Sequence, residues 1–329
     1  MKFFKDLTLL LPVYNGGEDF YKILSSLEDL NGVTNVIIYN DGSNDNSYQV
    51  GCNFSKKSKH KVRVIDGKKN RGYFRTIKIL LRICQTDFFI FLGHDDRLSK
   101  NYLDEFNAII SGQQDVACIF TDVATITPQG IITNTWPNTL NRGTAPNKML
   151  CLEAVKTFHK HEWGNLFVGI WSKRVLSHKT LLQIMKCIPN SSLISPLKRS
   201  GFMNDNMAVL RALSFNSKHF IFYNKTGIYF KEVDPGRISE GSMQFKKDNI
   251  LHAPLGYLSI AAHFMLPQIN QKSVATLWVL RYLYIYLGIA TKTLFRHPGS
   301  FNINTFFRGI GLILTGYAIN ILVARGRAS

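Results

Sequence analysis

Leu7-Thr8-Leu9-Leu10-Leu11-Pro12-Val13-Tyr14 is an apolar run closed by Asn15-Gly16-Gly17, and from Glu18 to Leu30 apolar residues recur at helical spacing. The run has a strand's length, Asn-Gly-Gly is a turn signal, and the following period is that of a helix. The segment therefore predicts a strand followed by a helix. Outward from it, Val36 to Tyr39 is a second apolar run, closed by Asn40-Asp41-Gly42-Ser43, and Val62 to Ile65 is a third, before Gly67 and Asn70-Arg71-Gly72. Ile77 to Cys84 has a helical pattern, and Phe88 to Leu92 is continuously apolar, as a strand buried on both faces must be. Strands alternating with helices of this length predict an α/β fold, a mostly parallel sheet with helices on both faces. Ligands of such sheets bind at the carboxyl ends of the strands, so the polar residues after each run are the place to look for function.

With 329 residues the chain is about two domains long at roughly 150 residues each. Hydrophobic residues at 45% and charged residues at 19% exclude disordered and collagen-like classes. Lys and Arg number 40 against 22 Asp and Glu, a net charge of +18, which implies an anionic partner. The cysteines form no C-x-x-C pair and read as reduced thiols of a cytoplasmic protein. Met1 to Leu11 is broken by Lys2, Lys5 and Asp6 and has no small-residue cleavage site, unlike a signal peptide.

The basic excess is concentrated at one end. After Asp248 there is no Asp or Glu, while Lys272, Arg281, Lys292, Arg296, Arg308, Arg325 and Arg327 punctuate the apolar runs Val274 to Ala290 and Gly309 to Val323. Each run falls short of the ~20 residues of a spanning helix. Basic residues among Trp, Tyr, Phe and Leu suit helices lying on an anionic membrane surface. A helical hairpin packed on the core, or in a homodimer, is the alternative. Interleaving with aliphatics argues against nucleic acid. The expected organisation is a domain at 1–248 and a helical, membrane-associating extension at 249–329, on the inner face of the cytoplasmic membrane.

Four strand ends carry Pro12-Val13-Tyr14-Asn15, Asn40-Asp41-Gly42-Ser43-Asn44-Asp45, Asn70-Arg71-Gly72 and Gly93-His94-Asp95-Asp96. Singly, each has an ordinary reading: a turn for Asn-Asp-Gly-Ser, a helix N-cap for Asp-Asp. Together, paired carboxylates after a buried strand make an oxygen-rich site for a hard divalent cation, which a nucleoside diphosphate leaving group requires. No G-x-G-x-x-G and no glycine-rich lysine loop is present, which argues against a dehydrogenase or an ATPase.

Through Leu10-Leu11-Pro12-Val13-Tyr14-Asn15, Val36-Ile37-Ile38-Tyr39-Asn40-Asp41-Gly42-Ser43-Asn44-Asp45-Asn46-Ser47 and Phe91-Leu92-Gly93-His94-Asp95-Asp96, the chain resembles a family 2 glycosyltransferase of the GT-A fold, of the bacterial surface-polysaccharide type. Phe120-Thr121-Asp122 with Ile126 and Gly130 resembles the strand and turn that follow the acidic motif, and the resemblance covers about residues 7 to 240. It implies that Pro12, Tyr14, Asn15, Asn70 and Gly72 line the nucleotide pocket, and that Asp41 accepts from the imide N–H of a uracil or thymine in a UDP- or dTDP-sugar. It implies that Asp95 holds Mg²⁺ or Mn²⁺, with Asp96 beside metal or sugar. Asp205 would be the general base of an inverting transfer, its plainer reading being an N-cap for Met207 to Leu213. Tyr229-Phe230-Lys231 and Asp234 to Ser239 resemble a closing loop whose Lys231 and Arg237 fold onto the diphosphate. His159-Lys160-His161-Glu162-Trp163 would lie toward the acceptor, a glycan carried on a polyprenyl diphosphate. Gly93 replaces the Asp that commonly opens the acidic motif, and Asn204 replaces a Glu; both also suit a degenerate, non-catalytic glycan- or nucleotide-binding scaffold.

Overall fold

The computed structural model describes residues 3–127, 129–136, 148–157, 163–187, 208–209, 212–213 and 215–232, with scattered positions between 280 and 310. Packing divides the chain into two interleaved units. One comprises Met1–Cys151, Asn165–His178 and Asn216–Arg237, the other Leu152–Gly164, Lys179–Phe215 and Ile238–Ser329. The expected boundary at 248 lies outside the described residues, as do Asp205, Arg237, His159 to Glu162 and most of 249–329.

The first half of the first unit alternates as expected: β1 (Phe3–Val13), α1 (Gly17–Leu27), β2 (Val33–Asn40), α2 (Ser47–Lys57), β3 (Lys61–Asp66), α3 (Tyr73–Ile83) and β4 (Phe88–Phe91). β2 and β4 flank β1 and β3 lies outside β2, all in parallel. β1 is central, so Leu7 through Val13 are all buried, which accounts for a run with no polar alternation. β3 is an edge strand with a half-exposed pattern. The crossovers β1–α1–β2 and β2–α2–β3 run the same way, so right-handedness puts α1 and α2 on one face, where they touch. The return through α3 places that helix on the other face. α3 starts at Tyr73, four residues earlier than its apolar pattern suggests, because Gly72 (φ +84) turns the chain into it.

The second half departs from the mostly parallel expectation. It contains β5 (Asp96–Leu98), β6 (Val116–Ile126), β7 (Ile132–Trp136), β8 (Lys148–Leu150), β9 (Ile170–Ser172) and β10 (Phe220–Glu232). β6 and β10 are parallel, whereas β9 inserts antiparallel between β4 and β6, and β5, β7 and β8 add antiparallel. Short antiparallel strands need no helical crossover; the β6–β7 hairpin turns at Gly130 (φ +82). In β10, Tyr223 pairs with Phe120 but the next pair is Ile228 with Asp122, so Asn224 to Gly227 bulge out opposite Thr121 alone. The buried Asn224 side chain holds that bulge. Its Oδ1 accepts from Thr226 N and Gly227 N at 3.0 and 3.1 Å and its Nδ2 donates to Tyr102 O at 2.7 Å. The bulge re-aims the strand so that Tyr229 pairs with Leu98 and Lys231 with Asp96. Tyr229 to Lys231, expected in a closing loop, are therefore strand; ladder bonding on both sides leaves Lys231 unable to fold over as a lid.

Candidate functional site

Chain order reverses at β1, whose neighbours leave in opposite directions, and in an open α/β sheet that is where a crevice forms at the carboxyl ends. Three of the loops there are tied to one another by side chains. Asn15 N donates to Ser43 Oγ at 3.0 Å and Asn44 N to Asn15 Oδ1 at 2.9 Å, joining the β1 loop to the β2 loop. Asn15 sits at φ +49, a left-handed conformation that Asn tolerates. Gly16 N donates to Ser47 Oγ at 2.9 Å, and Gly17 N to Asp45 Oδ2 at 2.9 Å. Asp45 Oδ1 also accepts from Ser47 N at 3.0 Å and Ser47 Oγ at 2.6 Å. Burial raises the Asp45 carboxyl, but the bonds from Ser47 and Gly17 outweigh it and leave the group below its ordinary value.

Asp41 fastens the third loop. Its side chain is 3% exposed, and its two oxygens accept from Arg71 N and Gly72 N at 2.9 Å each. Asn70 Oδ1 accepts from Gly72 N as well, at 2.8 Å. The loops approach so closely that a Cβ at Gly42 (φ +72) would stand 2.4 to 2.6 Å from backbone atoms of Lys69 and Asn70. Glycine is required there on both counts.

After β4 the chain makes a tight turn, Asp96 N to Gly93 O at 3.3 Å, and enters β5 at Asp96. No helix begins there, so the capping reading of Asp95-Asp96 does not apply. The two carboxylates converge instead. A Cβ built on Gly93 would lie 2.6 Å from Asp96 Oδ2 and 2.8 Å from Asp95 Oδ1, so both oxygens face one point that only a glycine leaves open. Burial pushes the Asp96 carboxyl up to about 7, with Asp95's charge adding; a bond from the Tyr229 hydroxyl at 2.7 Å and the Lys231 ammonium oppose this. Burial also holds the Tyr229 phenol well above its ordinary value, so it stays a donor. Two hard oxygen donors forced together, one strained by the other's charge, are a set that a divalent cation relieves. Mg²⁺ commonly takes one or two carboxylates and completes its shell with phosphate and water. Among the described residues no cluster of three His, Cys, Asp or Glu could hold a metal alone.

The sequence-derived residues of this unit thus stand at the carboxyl ends of adjacent parallel strands. Tyr14 and Asn15 are exposed at the end of β1, with Pro12 buried just inside it; Asp41, Asn70 and Gly72 form the β2–β3 side; Asp95 and Asp96 follow β4. Tyr229 was missed as a site residue. Its only sequence signal is its place two before Lys231 on one strand face, which nothing local connects to Asp96. Asp45 and Ser47 belong to the motif after β2, but nothing in the sequence marks them as the clasp between loops. The four cysteines described are free thiols, Cys52 half-buried and Cys84, Cys118 and Cys151 buried.

Residues 8–159 match the model of the family described as Glycosyl transferase family 2. A teichoic acid poly(glycerol phosphate) polymerase of Staphylococcus epidermidis is 33% identical over 106 residues, 31% of this chain and 15% of that protein. The match thus spans less than a sixth of that relative's length. The crystal structure of S. aureus TarS 1-349 with UDP superposes with a TM-score of 0.53 at 16% identity, covering 89% of this chain and 92% of that one. The same TarS fragment with UDP-GlcNAc gives 0.51 at 14% identity, covering 98% and 91%. At these identities the likeness shows a shared fold.

Proposed function

From a chain whose residues 8–159 match the family 2 glycosyltransferase model, we propose an inverting transfer of a sugar from a UDP- or dTDP-linked donor to a glycan acceptor, in the building of a bacterial surface polysaccharide. The observation that carries the reading is the set of polar groups at the strand ends. The loops after β1, β2 and β3 are tied to one another by side chains, and the converging pair Asp95 and Asp96 follows β4, on the other side of β1 from β2. The nucleotides in the TarS crystals, UDP and UDP-GlcNAc, support a nucleotide-linked donor, and the teichoic acid named for the staphylococcal relative supports a part in building a polymer.

The roles follow from position. Tyr14, exposed at 39%, offers a ring face to a base, and Asp41, which already anchors the β3 loop, keeps a second lone pair on each oxygen for an imide N–H. A Mg²⁺ or Mn²⁺ ion held by Asp95, with Asp96 beside it, supplies charge neutralisation to the departing diphosphate. Asp205 takes the proton of the attacking acceptor hydroxyl, a contribution of about 10²- to 10⁴-fold. Asp205 and Arg237 lie outside the described residues and take their roles from the resemblance; Arg237 would meet the charge of the diphosphate. The basic, acid-free stretch after Asp248 seats the protein on an anionic membrane, where a polyprenyl diphosphate would carry the acceptor. Among the described residues no helix is long and apolar enough to cross a membrane. Gly93 favours a second reading, a scaffold that binds nucleotide without turning it over.

Thermal melting against a panel of nucleotide sugars, with and without Mn²⁺, tests the proposal. At a ligand concentration of 100 Kd the stabilisation is about 2.7 kcal/mol. A UDP- or dTDP-sugar should raise the melting temperature more with Mn²⁺ than without, and Asp95→Ala should lose the metal-dependent increment. Transfer or slow hydrolysis of the stabilising donor separates the enzyme from the scaffold. If no nucleotide in the panel stabilises the wild-type protein with Mn²⁺, the proposal is wrong.

A further inference from the structure

The transfer proposed above does not use Tyr229, a phenol with 0% exposure whose hydroxyl donates to Asp96 Oδ2 at 2.7 Å. The other acceptor near that hydroxyl, Phe91 O, is 3.5 Å away, too far to compete. We propose that Tyr229 is a positioning residue for the acid pair: it holds the Asp96 carboxylate over Gly93, where it meets Asp95, and so shapes the cradle that receives a divalent cation and a diphosphate. The inference rests on the metal-assisted reading of this crevice.

Three features make the contact more than packing. Main-chain pairing fixes both of its ends, with Tyr229 opposite Leu98 and Lys231 opposite Asp96, so the phenol meets the carboxylate at one height only. The bulge at Asn224 to Gly227 sets that height, since without it Tyr229 would fall out of register with β5. The target is also a side chain that would otherwise move. Asp95 and Asp96 repel, and the Tyr229 hydroxyl is the neutral donor that keeps Asp96 from turning away. Gly93 completes the device, since the volume in which the two oxygens meet is the volume a Cβ at 93 would occupy. The space in which the two carboxylates converge is thus open only because residue 93 has no side chain. Introducing one at 93 should therefore weaken the site.

The test titrates Mn²⁺ into the full chain in the presence of UDP and follows free Mn²⁺ by electron paramagnetic resonance, with no turnover involved. Groups that orient metal ligands typically contribute 10- to 100-fold in affinity. Tyr229→Phe keeps the ring and should raise the Mn²⁺ Kd about tenfold while far-UV circular dichroism and UDP affinity without metal stay unchanged. A merely packed tyrosine would lower the melting temperature and leave the Mn²⁺ Kd alone, and that result overturns the inference. Gly93→Ala should weaken Mn²⁺ binding in the same way. Should Tyr229→Phe fail to fold, wild-type Mn²⁺ affinity in Gly93→Ala overturns the inference instead. A wild-type protein that binds no Mn²⁺ with UDP refutes the metal-assisted reading itself, and this inference falls with it.

Discussion

Replacing Gly42 by alanine strikes the point at which the β2 and β3 loops meet. The new methyl would stand 2.4, 2.5 and 2.6 Å from Lys69 C, Lys69 Cα and Asn70 N, where ordinary contact begins near 3.4 Å. These are backbone atoms, so no rotamer change relieves the overlap. An L-residue at φ +72 costs roughly 1–2 kcal/mol before any clash. The 68–72 loop can escape only by moving about an ångström away from Asp41. That stretches the bonds from Arg71 N and Gly72 N, now 2.9 Å each, and charged hydrogen bonds contribute about 1.5–3 kcal/mol apiece. Losing one bond and keeping the strained φ gives a destabilisation of about 2.5–5 kcal/mol, whose upper part single substitutions reach only through a specific mechanism. Urea unfolding of Gly42→Ala against wild type measures it, and UDP calorimetry reports whether the crevice wall has come apart. A variant whose unfolding midpoint and UDP affinity match wild type would show that the loops are not held together at Gly42 and Asp41.

Two further outcomes are expected. His60 is buried with Nδ1 accepting from Thr34 N at 3.2 Å, which puts its proton on Nε2 facing Leu27 O at 2.8 Å. Burial, with Lys59 adding, lowers its pKa against the opposing pull of the Leu27 carbonyl and Glu28. The unfolded ring titrates near 6.5, so below about that pH the unfolded chain binds more protons and stability falls as pH drops, while above it this contribution is complete. Urea midpoints from pH 5 to 8 should show that slope in wild type and a flatter one in His60→Gln; parallel curves would clear His60. The wild-type protein should also float with liposomes containing anionic lipid and be released by high salt, whereas removing residues 249–329 should leave it in the soluble fraction. Equal flotation of the truncated chain would place the membrane contact elsewhere.

The first half of the sheet was legible because its signals are local. A central parallel strand must be apolar at every position, and each of these runs ends in residues that only a turn favours, Asn15-Gly16-Gly17, Asn40-Asp41-Gly42 and Asn70-Arg71-Gly72. The second half was not, because three-residue strands such as β8 and β9 are too short to carry a period. The assignment of Tyr229 and Lys231 to a closing loop rests on resemblance alone; the structure keeps their stretch a strand by expelling Asn224 to Gly227 into a bulge. The Tyr229–Asp96 contact joins residues 133 apart, which no spacing rule reaches.

The way the loops are tied also bears on how the crevice could meet a diphosphate. Phosphate sites of many α/β proteins use free backbone N–H groups at a helix N-terminus. Here several of the N–H groups that lead into the helices are already engaged by the protein's own side chains. At the head of α1, Gly16 N and Gly17 N go to Ser47 and Asp45; at α2, Ser47 N goes to Asp45; at α3, Arg71 N and Gly72 N go to Asp41. Two of the side chains that take these bonds are carboxylates, so the wall repels a phosphate where a glycine-rich loop would cradle one. Charge on a departing diphosphate must then be met from the opposite side, where Asp95 and Asp96 are themselves negative and attract a phosphate only through a cation. This arithmetic of charge favours the proposed metal-assisted transfer over an amide-cradled one, and it predicts a steep Mn²⁺ dependence of nucleotide binding: without the ion, Asp45, Asp95 and Asp96 would all work against the diphosphate.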